Sequence, residues 1–290
     1  MTTKKRPSYS DLLHASRTIA EDIALSELSP DSVLHKAITY HFNTPGSEAR
    51  AALCISSSLA LGLAVESAVR LAAAVETLHN ASLIQDDLQD QDDVRRGHPA
   101  VWKKFGKDTA INATDLLIAS SFALVSSVGS TNTHRLVASM TRAIAQTLQG
   151  QARDLNTNRV PNIDDAIAVA KEKSGPLFSL SLELPLVLSG HLYFVGAARE
   201  AGAAFGIGYQ IFDDINDCAR DREAGSLSNM ALLIETSKSS QFLAIDSAED
   251  LAHYFLDQAA SNASALPNNS GAMLADKCVE LLSELDREAA

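Results

Sequence analysis

Aromatic residues make up only 5% of the 290 residues, and strand-like runs of β-branched and aromatic residues are correspondingly scarce. That scarcity excludes a β-sandwich or barrel as the main architecture. Cysteine is almost as rare. Cys54, Cys218 and Cys278 are odd in number and far apart, which fits neither a disulfide framework nor a zinc site and points to a reducing cytosol. Positive charge is in deficit: the net charge of −12 excludes nucleic acid as a partner, because phosphate backbones need a concentrated cationic surface. No Pro/Gly/Ser-rich linker and no repeat of fixed period divides the chain, so residues 1–290 read as a single domain. The polar, basic start from Met1 to Arg6 lacks the apolar run of a secretory signal. Leu116 to Thr133 carries no charge, yet its Ser, Thr, Asn and Gly content reads as a buried helix and not as a membrane span. The expected location is cytoplasmic, with no transmembrane segment.

What is abundant is apolar and helix-forming: hydrophobic residues reach 46%, rich in Ala and Leu. From Asp11 apolar residues recur at three- and four-residue intervals, and Ser29-Pro30-Asp31-Ser32 has the composition of a second helix start. Further helical blocks are predicted over 48–90, 107–128, 132–156, 162–189, 194–220, 227–237, 247–263 and 272–288. The fold class is all-α, an antiparallel helical bundle with a central cavity.

Two clusters of aspartate interrupt this apolar chain. Asp86-Asp87-Leu-Gln-Asp90 ends one apolar run, and i, i+4 spacing places Asp86 and Asp90 on one helix face, with Asp93 continuing it. Asp213-Asp214-Ile-Asn-Asp217 repeats the pattern after the apolar run Ala201 to Phe212, with Gln210 one turn earlier. A single such cluster could be a solvated helix face. Two of them, each against an apolar run, hold like charges one turn apart at a cost that a cation would relieve. Mg²⁺ suits oxygen ligands and would bring diphosphate oxygens as its remaining ligands. No Asp-x-Asp-x-Asn-Gly loop for calcium occurs.

The segment Leu78-His79 through Asp86-Asp87-Leu-Gln-Asp90 to Arg95-Arg96-Gly97 resembles the first aspartate-rich signature of the polyprenyl synthetase family, the trans-isoprenyl diphosphate synthases. Gly150-Gln151-Ala-Arg-Asp154 is similar to its internal Gly-Gln motif, Lys173-Ser174-Gly175 to its Lys-Thr-Gly motif, and Tyr209-Gln210 through Asp217 to its second aspartate signature. The resemblance spans about residues 46–230. It implies an isoprenoid synthase-type bundle, a homodimer, Mg²⁺ as cofactor, and an allylic diphosphate and isopentenyl diphosphate as substrates. It further implies Asp86, Asp90, Asp213 and Asp217 as metal ligands. Asp86, Asp87, Asp90, Lys173, Gln210, Asp213 and Asp214 form the implied catalytic set. Arg95, Lys173, Ser174 and Gln210 would bind the allylic diphosphate, and Arg50, His79 and Arg96 the isopentenyl diphosphate. Gln151 and Asp154 are equally a plain polar helix turn.

The sequence also departs from the family. Pro45-Gly46-Ser47-Glu48-Ala49-Arg50 stands where a Gly-Gly-Lys-Arg-x-Arg stretch is usual, so Ser47 replaces the diphosphate-binding lysine. Asp221 to Asn229 replaces a lysine-bearing loop, with Arg222 as a candidate substitute, and Trp102 stands where a histidine is common. Three readings stay open: a prenyltransferase that condenses the two diphosphates, a class I terpene synthase-like enzyme that only ionises the allylic one, and a non-catalytic subunit of a heteromeric synthase. Ala81 and Ser82, just before the first motif, leave room for a long product, geranylgeranyl diphosphate or beyond; small residues there equally permit close helix packing.

Overall fold

The computed structural model describes residues 7–44, 46–156, 162–225, 228–236 and 247–288. The expectations for Met1–Arg6 and Pro45, and parts of those for Asp221–Asn229 and for the block 227–237, lie outside these residues. The described chain is all-α apart from one minimal hairpin. Its elements are α1 (Tyr9–Leu25), α2 (Val33–Phe42), α3 (Ala49–Ala60), α4 (Val65–Asp90), β1 (Val94–Arg95), β2 (His98–Pro99), α5 (Val101–Phe105), α6 (Lys107–Ser126), α7 (Thr133–Asp154), α8 (Ile163–Lys173), α9 (Gly175–Leu188), α10 (Val195–Asn216), α11 (Cys218–Ala224), α12 (Met230–Thr236), α13 (Ala248–Ser264) and α14 (Ala272–Glu288). They fall into two compact units, one of residues 1–138 with 187–189, the other of 139–186 with 190–290.

Local chemistry sets the helix starts. Ser8 and Asp11 form a reciprocal capping box on α1, with Ser8 N–H donating to Asp11 Oδ2 at 2.8 Å. Ser32 Oγ accepts from the His35 amide at 3.1 Å and caps α2, as the Ser-Pro-Asp-Ser composition predicts. The block expected over 48–90 is two helices. Gly62 takes φ +75° just after α3, a conformation glycine adopts without steric cost, and α4 starts three residues later. The block expected over 162–189 is likewise two helices, divided at Ser174.

In the first unit α4 is the central helix. Leu71, Ala72, Ala73, Ala74 and Val75 are all fully buried, so this stretch is enclosed on every side by α1, α3 and α6. Among the described helices α6 alone has the length and apolar composition to cross a membrane; Ala110, Ala113, Leu117, Leu124 and Val125 are buried while Ile111 is 50% exposed. The hairpin after α4 pairs Arg95 with His98 and turns through Arg96 (φ 52°) and Gly97 (φ 77°). Two consecutive left-handed residues in a two-residue loop are the signature of a tight I′ turn, which gives the Arg-Arg-Gly sequence its local physical meaning.

In the second unit α10 packs closely on α8 and α13. A Cβ on Gly202 would lie 2.2 Å from the Ser179 backbone nitrogen, and one on Gly206 2.6 Å from that of Gly175. The buried carboxylate of Glu183 accepts from Arg199 at 2.9 and 3.0 Å and also from Ser139 and Arg142. Burial pushes its carboxyl up, but these donors together hold it below its ordinary value. Gly202→Ala should therefore destabilise the fold by about 1–3 kcal/mol, because the obstacle is backbone and cannot swing aside. Thermal unfolding would show it as a lowered Tm; an unchanged Tm would mean that the contact relaxes without cost.

Candidate active site

Each aspartate motif sits at the C-terminal end of a buried helix, and in both the middle carboxylate turns inward. A helix rotates about 100° per residue, so neighbours at i and i+1 cannot share a face. Asp87 is buried, and its Oδ1 accepts from Arg95 Nε at 2.6 Å and Nη2 at 2.5 Å. Its Oδ2 is buried and accepts no hydrogen bond from the described residues. Asp86 is half-buried and Asp90 exposed, both on the other side of the turn. α4 ends at Asp90, with Gln91 in the left-handed region at φ 59°. Asp93 therefore does not continue the helical face predicted for it; it lies beyond the helix and pairs with Lys103 Nζ at 2.8 Å.

The second motif repeats this division. Asp214 is buried and accepts from the Met230 amide at 2.8 Å and from Gln210 Nε2 at 2.9 Å, while its own carbonyl accepts from Asn229 Nδ2. It thus anchors the start of α12. Asp213 and Asp217 are half-buried; burial first, then the Asp214 and Asp217 carboxylates, push Asp213 up to about 6. Asp217 accepts from Arg220 Nη2 at 2.7 Å. Arg222, the candidate substitute for a lysine, pairs with Glu235.

The Gly-Gln and Lys-Ser-Gly motifs meet in this unit. A Cβ on Gly150 would sit 2.6 Å from the backbone of Glu172 and Lys173, so glycine there lets α7 approach the end of α8. Lys173 Nζ donates to Asp154 Oδ2 at 2.9 Å, Gln151 is buried, and Ser174 closes α8 as its C-cap. The sequence left Asp154 open between a direct role and a plain polar turn; only the fold identifies it as the partner of Lys173.

Arg50, His79 and Arg96 come together in the first unit. Arg50 Nη1 donates to His79 Nε2 at 3.1 Å, and since a guanidinium only donates, His79 carries its proton on Nδ1. Burial, then Arg50, Arg96 and Arg95, hold His79 well below its ordinary value, hence neutral. The Arg96 guanidinium lies where a Cβ on Gly46 would be, 1.9 Å from Nη1, so only glycine leaves it room in this position. Ser47 is exposed and accepts from the Ala49 amide at 3.3 Å. Three residues that sequence reasoning missed adjoin them: Glu76, Asn80 and His41. The i, i+4 pair Glu76 and Asn80 around His79 was the available signal. Ala81 is 1% exposed, and Ser82 Oγ donates to the His79 carbonyl at 2.8 Å.

Residues 31–226 match the sequence model of the polyprenyl synthetase family. The chain belongs to that family. Relatives include a geranylgeranyl pyrophosphate synthase of Geoglobus acetivorans, 32% identical over 206 residues, which cover 69% of this chain and 64% of that protein. A geranylgeranyl diphosphate synthase of Methanosarcina mazei is 31% identical over 216 residues, 72% of this chain and 67% of that one. The matched region thus spans about two thirds of the length of these curated relatives. Among solved structures, the geranylgeranyl pyrophosphate synthetase of Geoglobus acetivorans superposes with a TM-score of 0.82 at 25% identity, over 94% of this chain and 99% of that one. A geranyltranstransferase from Thermotoga maritima superposes with a TM-score of 0.75 at 23% identity, over 95% of this chain and 99% of that one, a likeness of fold. The all-α expectation is correct, and the fold is that of the isoprenoid synthases.

The raised Asp213 carboxyl gives a pH signature. Because its folded value of about 6 exceeds the ordinary 3.8, the folded state holds this proton more tightly. The resulting stabilisation is full below about pH 4 and is lost as pH rises through about 6. In the absence of divalent cations, Asp213→Asn should stabilise the chain at neutral pH by about 1–2 kcal/mol, after discounting for solvent screening. The gain should vanish below about pH 4; equal Tm values for both chains at neutral pH would refute the assignment.

Proposed function

We propose that this chain is a Mg²⁺-dependent prenyltransferase that condenses isopentenyl diphosphate with an allylic diphosphate to give a longer trans-isoprenyl diphosphate, with geranylgeranyl diphosphate as product. The observation that carries this reading is the presence of two outward carboxylate sets, Asp86 with Asp90 in the first unit and Asp213 with Asp217 in the second, and in the first unit a cationic group of Arg50 and Arg96 beside neutral His79. An enzyme that only ionises one diphosphate has no use for a second cationic group. The exposed Ser47 in place of the family lysine favours the rival, terpene synthase-like reading, which the assay below separates.

The donor set fits the metal. Among the described residues no three His, Cys, Asp or Glu side chains converge closely enough to hold an ion by themselves. Mg²⁺ keeps several waters and needs one or two carboxylates plus substrate phosphate oxygens, and the burial and carboxylate repulsion that raise the Asp213 carboxyl are what such a cation would offset. Bound there, it would supply positive charge to the departing diphosphate. The chain's own residues do the rest. Lys173, oriented by Asp154, offers donors to the leaving diphosphate. Arg95 is held by Asp87 in one orientation and adds positive charge beside the first aspartate motif. As the carbon–oxygen bond breaks, the electron pair stays on diphosphate. The isopentenyl double bond then supplies the electrons of the new carbon–carbon bond, and loss of a proton restores an alkene. Arg50, His79 and Arg96 would fix the isopentenyl diphosphate for that attack.

The active form in this reading is a homodimer, as the family resemblance implies, in the reducing cytosol to which the three scattered cysteines point, with residues 1–290 acting as one catalytic domain. Incubation with an allylic diphosphate and labelled isopentenyl diphosphate tests the reading. Label should appear in geranylgeranyl diphosphate, EDTA should abolish it, and Asp86→Ala or Asp213→Ala should lower turnover by orders of magnitude with the fold intact. An unlabelled hydrocarbon or alcohol, formed equally well without isopentenyl diphosphate, would establish the rival reading. Product length tests Ala81: buried on α4, it should border the path of the growing chain, so Ala81→Phe should shift product to shorter diphosphates. An unchanged distribution from a folded variant would exclude Ala81 as the determinant.

A further inference from the structure

Glu76 is a carboxylate for which the proposed reaction has no use. It lies on α4 three residues before His79, and its Oε2 is closed to solvent and accepts no hydrogen bond from the described residues. Asn80 Nδ2 donates to the Glu76 carbonyl at 2.7 Å and, at a long 3.4 Å, to Oε1. That fixes the Asn80 amide, whose Oδ1 then accepts from His41 Nε2 at 2.9 Å. α2, α3, α4 and the hairpin turn all bring groups to this carboxylate's surroundings: His41, Glu48, Arg50, His79, Arg95 and Arg96. Both histidines are neutral, His41 because burial lowers it to about 4, and Arg95 is already bound to Asp87. The cations that face Glu76 are Arg50 and Arg96; Glu48 adds a second anion there and Arg96 also faces Asp87, so Glu76 is one of three carboxylates that share their counter-charge. Burial pushes its carboxyl up to about 7, even though Arg50 and Arg96 pull it down.

Two arginines held near one another repel unless an anion lies between them or beside them. We propose that Glu76 is a positioning residue for the second diphosphate: it neutralises Arg50 and Arg96 while they hold no ligand, and takes a proton from solvent onto its carboxylate when a diphosphate displaces it as their counter-charge. An incoming diphosphate is a like charge to Glu76 and raises its affinity for a proton. The protonated form then offers a hydrogen-bond donor where the ionised form offers repulsion. Binding linked to one proton weakens by up to about tenfold per pH unit above the unliganded value near 7. The inference rests on reading Arg50, His79 and Arg96 as a diphosphate site.

Calorimetric titration of the full chain with inorganic pyrophosphate tests it, in EDTA to suppress metal-dependent binding and in two buffers of different ionisation enthalpy. Above pH about 7 the wild type should take up as much as one proton more per pyrophosphate than Glu76→Gln, whose affinity should depend less on pH. A merely structural glutamate would change stability or affinity without changing that proton count. Equal counts overturn the inference, as does a wild-type count of zero once the ionisation of pyrophosphate is subtracted, whether or not the variant folds. If the chain incorporates labelled isopentenyl diphosphate yet binds no pyrophosphate in EDTA, the inference falls and prenyl transfer stands. If pyrophosphate binds with its linked proton and isopentenyl diphosphate is never used, Glu76 keeps its role and the transfer reading falls.

Discussion

Consecutive residues on a helix point about 100° apart, and two adjacent aspartates at the end of a buried helix cannot both reach water. One must be buried, and a buried carboxylate is tolerated only with strong donors. Asp87 meets this demand with Arg95 and Asp214 with Gln210 and the Met230 amide. Much else in the site follows. The Arg95 bond ties the hairpin to α4, and the Met230 bond ties α12 to α10, so the inward member of each motif builds the scaffold that presents the outward members.

The same logic governs the remaining charges. Lys173 and Asp154 neutralise each other at the junction of α7 and α8. Glu183 collects three donors inside the second unit and is held ionised by them. Burial and the neighbouring Asp214 and Asp217 carboxylates raise Asp213 to about 6, while burial first and then the nearby arginines depress His41 and His79. Charges left without full compensation mark the places where ligands of opposite sign gain most.

Family membership and the departures from its usual pattern bear on different parts of the chain. The match over residues 31–226 includes both aspartate motifs and the arginines of the hairpin. Ser47 departs at the start of α3, beside the residues read as the second diphosphate site, and Arg222, paired with Glu235, departs after the second motif. The residues proposed for ionisation are intact, and Ser47 departs beside those proposed for the second substrate.

The helical class, the helix start at Ser32 and the two aspartate clusters were legible in the sequence, because each depends on residues within a turn or two of one another. The split of α4 from α3 at Gly62 was not, since a left-handed glycine leaves hydrophobic periodicity almost unbroken on both sides. Nor was the hairpin at Arg96-Gly97. Which aspartate of each pair turns inward, the pairing of Asp154 with Lys173, and the gathering of His41, Glu76 and Asn80 about Arg50 were decided only by tertiary structure. Those outcomes depend on burial and on partners as far as 39 positions away, as for His41 with Asn80. Periodicity carries no information at that range, whereas the cost of an uncompensated charge in a packed interior does.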